Sequence, residues 1–359
     1  MSGAKTSRGL LVNAARVGAM SGMCAYTQGI LRAVAGMGLG RVAALVAGEV
    51  EVPAGVERVE ASKGLVMQGV SSWRRSVMGW ADSRRQAERF REWHVLSTTH
   101  LGLAGHGRQV LTIHDLRPAR WPDSWVQGAY FRHYLPRAAR AADGVLTVSE
   151  TAKRAILMEC GVDAARVFVV PNVVKVAEAV EEFAAESSYL LMVNAGYRHK
   201  NAAEVLERHA LWSGRYRLKI LAAEGKCKNE LREMAGRMGI AERVDFLPRV
   251  TDAELAGLYK GAAALVYPSL TEGFGLPPLE AMRLGAPVIA SDIEVFREVL
   301  GGGATFVRLG DGASWEKALA EIGDARRVER GREIAAGYTQ ERMAVALKSA
   351  LTAIWPEQF

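Results

Sequence analysis

Short apolar runs and stretches of helical period alternate along both halves of the chain. Residues 9–12, 42–46, 95–97, 110–113 and 145–148 in the first half read as buried strands, as do 190–193, 218–222, 243–246, 264–267 and 287–290 in the second. Between them, residues 25–35, 202–211, 229–238 and 252–259 repeat their apolar positions at helical spacing. This alternation predicts an α/β protein with two parallel sheets covered by helices, one in each half. Residues 173–188 are acidic and Ala-rich with no core strand, so the linker is placed there. The tail 339–355 returns to helical spacing and stops before Pro356, which predicts a final helix. Ligands of such sheets bind at the carboxyl ends of the strands, so the chemistry is expected between the halves.

Length agrees with this division: 359 residues is room for two domains, each with its own core. Apolar residues at 49% and charged residues at 24% are ordinary globular proportions, and they exclude long disorder, collagen-like repeats and a disulfide miniprotein. A net charge of +7 points to a partner with phosphates, which could be nucleic acid, an anionic membrane or a nucleotide. The charge is uneven, since residues 1–175 carry a balance of +10 and residues 176–359 one of −3. Within the basic half, residues 71–94 mix Arg74, Arg75, Arg84, Arg85, Arg89 and Arg91 with Trp73, Trp80, Phe90 and Trp93. That composition suits a membrane-surface or acidic-ligand face, and equally a solvated helix with aromatic anchors in the core. No basic recognition helix or stacking platform marks a nucleic-acid module.

Cys24, Cys160 and Cys227 lie far apart without zinc or disulfide spacing, which fits a reducing, cytoplasmic compartment. The apolar residues 10–12 are followed at once by Asn13 and Arg16, unlike a signal peptide, and no run of 18 apolar residues occurs. Membrane contact is therefore expected to be peripheral, on the inner face of the cell membrane.

The most informative segment runs from Tyr267 to Ala290, YPSLTEGFGLPPLEAMRLGAPVIA. An apolar strand ends at Tyr267, a loop carries Glu272 and the Gly273-Phe274-Gly275 turn, and Pro277-Pro278 presets a helix first turn containing Glu280. A helix start behind a glycine-containing loop is an anion site suited to a diphosphate. The two carboxylates are acceptor-only groups, suited to gripping the sugar and ribose hydroxyls at the two ends of a nucleotide sugar.

Glu272-Gly-Phe-Gly-Leu-Pro-Pro-Leu-Glu280-Ala-Met resembles the signature of the retaining glycosyltransferases of family 4, whose fold is GT-B. Further pieces fall in that family's order. Ser21-Gly-Met-Cys-Ala-Tyr-Thr resembles its first glycine loop, Thr112-Ile-His-Asp-Leu116 its segment after a strand in the first domain, and Val148-Ser-Glu150 its "VSE" element. Residues 189–201, ending His199-Lys-Asn, resemble the opening strand and phosphate loop of its second domain.

The resemblance implies two Rossmann-like domains facing across a cleft. Residues 1–174, joined by a returning C-terminal helix at 339–359, would receive the acceptor, and residues 175–338 would hold the donor. It also implies roles. Glu272 would contact hydroxyls of the donor sugar, Glu280 those of the ribose, and Lys200 with Arg198 would neutralise the diphosphate. Backbone N–H groups at Gly273, Phe274, Gly275 and Leu276 would bind sugar or phosphate oxygens. His114 would lie across the cleft near the transferred sugar, and Gly22 would leave space for the diphosphate or acceptor. Catalysis is assigned to Glu272, His114 and Lys200.

The reaction so implied is metal-independent retaining transfer of a sugar, first of all mannose from GDP-mannose, to a saccharide or polyprenyl-diphosphate-linked acceptor in polysaccharide assembly. No metal site and no cofactor beyond the donor is expected. A non-catalytic nucleotide-sugar-binding subunit and a sugar-nucleotide epimerase are the alternatives. The chain departs from the family pattern at Val173, Asn194 and Pro248, where glycine is usual.

Overall fold

The computed structural model describes residues 8–15, 17, 22–48, 50–62, 73–122, 124–177 and 188–359, without the side chains of 73–78. Ser21, the side chains of Trp73, Arg74 and Arg75, and the linker residues 178–187 therefore fall outside what is described. Two units are present, Met1–Val173 with Tyr338–Phe359, and Val174–Gly337.

The first unit is built on β1 (Leu10–Ala14), β2 (Val42–Val46), β3 (Glu57–Glu60), β4 (His94–Ser97), β5 (Gln109–Thr112), β6 (Gly144–Thr147) and β7 (Val167–Val169). Their order in the sheet is β3-β2-β1-β4-β5-β6-β7, and every pairing is parallel. β1, β2, β4 and β6 are buried at every position, as near-continuous apolar runs covered on both faces must be. The helix Gly22–Ala35 packs against the final helix Gln340–Ile354, which joins this unit from the far end of the chain. Gly29 allows their close approach: a Cβ there would stand 2.6 Å from Met343 Sδ, and Gln340 Nε2 donates to Gly29 O at 2.8 Å.

The second unit is built on β8 (Tyr189–Val193), β9 (Arg217–Leu221), β10 (Val244–Leu247), β11 (Ala264–Tyr267), β12 (Val288–Ser291) and β13 (Thr305–Val307). The order is β10-β9-β8-β11-β12-β13, again all parallel. Its core gathers Leu190, Leu218, Ile220 and Val266 from the sheet with Trp212, Leu231 and Trp315 from the covering helices. In each sheet the chain reverses its order of addition at one place, between β1 and β4 and between β8 and β11, and such switch points are where parallel sheets hold ligands. The strand alternation expected from the sequence is thus present twice. Three strands at sheet edges, β3, β7 and β13, were not anticipated.

Asn194 stands where glycine is usual and adopts the left-handed conformation, φ +56°. Asn is the non-glycine residue that best tolerates this region, because its short side chain bonds locally, so the turn after β8 keeps its shape.

Candidate active site

The loops that follow β8 and β11 meet at the second unit's switch point. Leu270 N donates to His199 O at 2.8 Å and ties one loop to the other. His199 and Lys200 lie in a single 3-10 turn, Arg198–Lys200, held between left-handed Asn201 and the extended Tyr197. The turn aims Lys200 inward, where its Nζ donates to the Tyr267 hydroxyl at 2.6 Å and pairs with Glu272 Oε1. The Lys200 and Glu272 side chains are only 10% and 14% exposed, so this is a nearly dry ion pair. The Tyr267 ring lies 4.7 Å from Lys200 Nζ, and burial together with Glu272 holds its hydroxyl well above the ordinary phenol range.

Beyond Glu272 the chain turns through Gly275 into the helix Leu276–Arg283. Gly275 sits at φ +103°, and a Cβ there would approach the Phe296 ring to 2.8 Å, so the turn demands glycine on both counts. The two prolines preset the helix start but carry no N–H, and Leu279 N–H is taken by the Gly275 carbonyl in the first helical bond, which leaves Leu276 as the first-turn backbone donor without an intrahelical acceptor. Gly273 and Phe274 are buried and Leu276 is half-buried.

Glu280, one turn along, is half-buried on the same helix, and its Oε2 accepts from Tyr259 Oη at 3.2 Å. Burial pushes its carboxyl up to about 7, with the Asp252 charge adding to the rise and the Tyr259 hydrogen bond opposing it. Two carboxylates therefore flank one helix start with different electrostatics: Glu272 is bound to an ammonium, whereas Glu280 is hydrogen-bonded only to a neutral hydroxyl.

Other expected residues are placed elsewhere. Arg198 follows the same turn as Lys200 but points outward, 74% exposed, with Nη2 3.6 Å from Glu230 Oε1. Gly22 and His114 belong to the first unit. Gly22 opens the helix that carries Tyr26, whose ring meets the His114 imidazole edge-on at 4.8 Å. His114 Nε2 lies 3.0 Å from the Thr98 carbonyl oxygen, which only accepts, so the proton sits on Nε2 and Nδ1 is left as an acceptor. Burial lowers its basicity and favours the neutral ring. Tyr259 and Tyr267 were missed as site residues. The available signal was a tyrosine at the inner end of an apolar segment, whose hydroxyl must find a partner when buried. Among the described residues, no three His, Cys, Asp or Glu side chains gather as a metal site.

Comparison with known proteins bears on this arrangement. Residues 39–178 match the family model described as Glycosyltransferase Family 4, and residues 175–329 that described as Glycosyl transferases group 1. The chain is 39% identical over 228 residues to the O-antigen chain mannosyltransferase RfbU of Salmonella typhimurium (strain LT2), a match covering 64% of this chain and 64% of RfbU. It therefore spans just under two thirds of that relative's own length. Sucrose-phosphate synthase from Thermosynechococcus elongatus superimposes with a TM-score of 0.76 at 16% identity, over 98% of this chain and 100% of that one. Anabaena HepE, solved in complex with UDP and glucose, gives 0.74 at 15%, over 96% and 99%. At such identities these structures establish the fold, which is GT-B. The two family models between them run from residue 39 to residue 329, so the chain consists of a glycosyltransferase family 4 domain followed by a group 1 glycosyl transferase domain and belongs to the glycosyltransferases.

Proposed function

We propose that this protein transfers mannose from GDP-mannose to a saccharide acceptor of O-antigen-type polysaccharide assembly, with retention at the anomeric carbon and without a divalent metal. The acceptor would be carried on a polyprenyl diphosphate at the cytoplasmic membrane face. The mannosyl assignment is supported by the likeness to RfbU, and a nucleotide diphosphate donor by the likeness to HepE, a protein solved with UDP.

The observation that carries the reading is the Lys200–Glu272 pair at the switch point, in the loop that leads into the helix of Glu280. Breaking the bond between the anomeric carbon and the diphosphate leaves negative charge on a phosphate oxygen. Lys200 and the Leu276 N–H stabilise that charge in a site already poor in water, where such contacts are strongest. Glu272, released in part from Lys200, accepts from sugar hydroxyls. Glu280 accepts from the ribose hydroxyls, and neutral His114 offers Nδ1 to the transferred sugar. The second unit thus holds the donor and the first receives the acceptor.

The test is transfer from GDP-mannose in the presence of a chelator. Lys200→Ala and Glu272→Ala are each expected to lose about a hundredfold in kcat, the scale of removing one charge-stabilising contact. Undiminished transfer by both folded variants would overturn the assignment.

A further inference from the structure

The sheet of the first unit has polar side chains at its amino ends as well as its carboxyl ends. His94 opens β4, and Arg108, Asp143 and Arg166 directly precede β5, β6 and β7. These four residues line a cavity of about 390 Å³, within the size range of small-molecule sites. Its remaining wall is Ile354, Trp355 and Glu357, where the chain leaves the final helix. All seven residues belong to the first unit, and His114 lies at the opposite end of the same sheet, just after β5.

His94 marks this cavity as a place for a ligand. It is 1% exposed, and neither of its ring nitrogens has a hydrogen-bond partner among the described residues. Buried polar atoms left unmet are costly, so a native fold supplies them with partners. The nearest acid, Glu357 Oε1, stands 3.9 Å from Nε2, beyond hydrogen-bonding reach. Burial lowers the basicity of the ring, Glu357 opposes the change, and Arg8 and Arg108 add to it. The neutral ring needs one acceptor for its N–H and one donor for its lone pair. The walls are fixed around it. Trp355 packs on the imidazole at 4.4 Å and donates from Nε1 to Asp143 Oδ2 at 2.8 Å, while the Arg166 guanidinium is held by the carbonyl oxygens of Arg140, Ala142 and Asp143. Arg108 brings donors alone, and Asp143 and Glu357 bring acceptors alone.

That set of groups discriminates among ligand classes. A carboxylate or a phosphate dianion would meet Arg108, but it gives the imidazole lone pair no donor and faces two acids. A cation would meet the acids and face Arg108 and Arg166, and no metal-binding cluster is found among the described residues. A hydroxyl both donates and accepts, so neighbouring hydroxyls on one ring can serve the imidazole, the guanidinium and the carboxylates together without bringing a charge. We propose that the cavity lined by His94, Arg108, Asp143 and Glu357 is a non-catalytic binding site for a saccharide. Its place at the amino ends of the strands separates it from the carboxyl ends, where the ligands of a parallel sheet that take part in its chemistry bind. The proposal rests on the donors and acceptors around His94 and is independent of the transfer reaction.

Titration of mannose into the full chain tests it, read from the imidazole signals of protein labelled with nitrogen-15 in histidine. The His94 ring signal, identified by its loss in His94→Phe, is expected to shift and saturate. Arg108→Ala with Glu357→Gln should weaken that binding about tenfold or more, the scale of losing a hydrogen bond to a charged group. Circular dichroism confirms that the double variant is folded, and its sugar transfer should match the wild type. A free sugar and a unit of a polysaccharide present the same hydroxyls, so mannotriose is titrated in parallel: tighter binding than mannose assigns the site to a chain, equal binding to a free sugar. The proposal is overturned if neither saccharide gives a saturable shift, since the cavity then holds water alone. It is overturned equally if inorganic phosphate or acetate binds as well as mannose, or if the double variant keeps full affinity.

Discussion

Lys200 and Glu272 pair their charges where both side chains are largely shielded from water. Removing one partner of such a pair strands the other's charge, which costs more than the pair itself contributes. Glu272→Gln should therefore destabilise the second unit by about 3 kcal/mol in urea unfolding, and adding Lys200→Met should recover most of that loss. If the double variant is no more stable than the single one, the pair is not the source of the cost. Glu280 gives a pH signature instead. Its carboxyl titrates near 7 because it is buried, whereas accepting two ribose hydroxyls requires the carboxylate. Donor binding should expel a proton and weaken as pH falls below about 7, and Glu280→Gln should remove that slope. Calorimetry of GDP-mannose binding in buffers of different ionisation enthalpy reads this directly.

Elements divide by how much of their physics is local. The central strands were legible because burial on both faces writes a continuous apolar run, as in Val42–Val46 and Ala264–Tyr267. The strands β3, β7 and β13 were not. Each is three or four residues at a sheet edge, and the sequence of β3, ERVE, has only Val59 buried. The loop and helix at 268–283 were legible because glycine, paired prolines and two glutamates cannot serve an ordinary connection equally well. What stayed hidden is what sheet order decides: Tyr267 meets Lys200 across 67 residues and Tyr259 meets Glu280 across 21. At Gly275 the two kinds of information coincide, since both a left-handed φ and the Phe296 ring exclude a side chain. Gly275→Ala should cost about 2 kcal/mol of stability and raise KM for the donor by shifting the helix start. Adding Phe296→Leu to Gly275→Ala relieves the contact but not the φ strain, so recovery should be partial.

Across the whole molecule the two units should respond to acid in opposite directions. In the second unit Glu280 has its pKa raised by burial to about 7, so the fold holds a proton that the unfolded chain releases, and stability is gained as pH falls through 7. In the first unit His94 and His114 have theirs lowered by burial, so both are neutral in the fold. The unfolded chain binds those protons first, and stability is lost as pH falls through the ordinary imidazole value. His94 sits under Trp355, ring centroids 4.4 Å apart, with Glu357 as the nearest acid and Arg8 and Arg108 opposing protonation. It therefore links this loss to the chain's C-terminal end, where Trp355 Nε1 also donates to Asp143 Oδ2 at 2.8 Å. Asp245, Asp292 and Asp311 of the second unit are held below their usual range by arginine partners, and their effects begin only in more acidic solution. Amide exchange followed between pH 8 and 6 should show protection declining in β1, β4 and the final helix while it holds or rises in β8 and β11, after correction for the intrinsic rate. His94→Phe together with His114→Phe should remove most of the decline in the first unit, and Glu280→Gln the rise in the second. A parallel decline of both units in the wild type would show that the protons are taken up elsewhere.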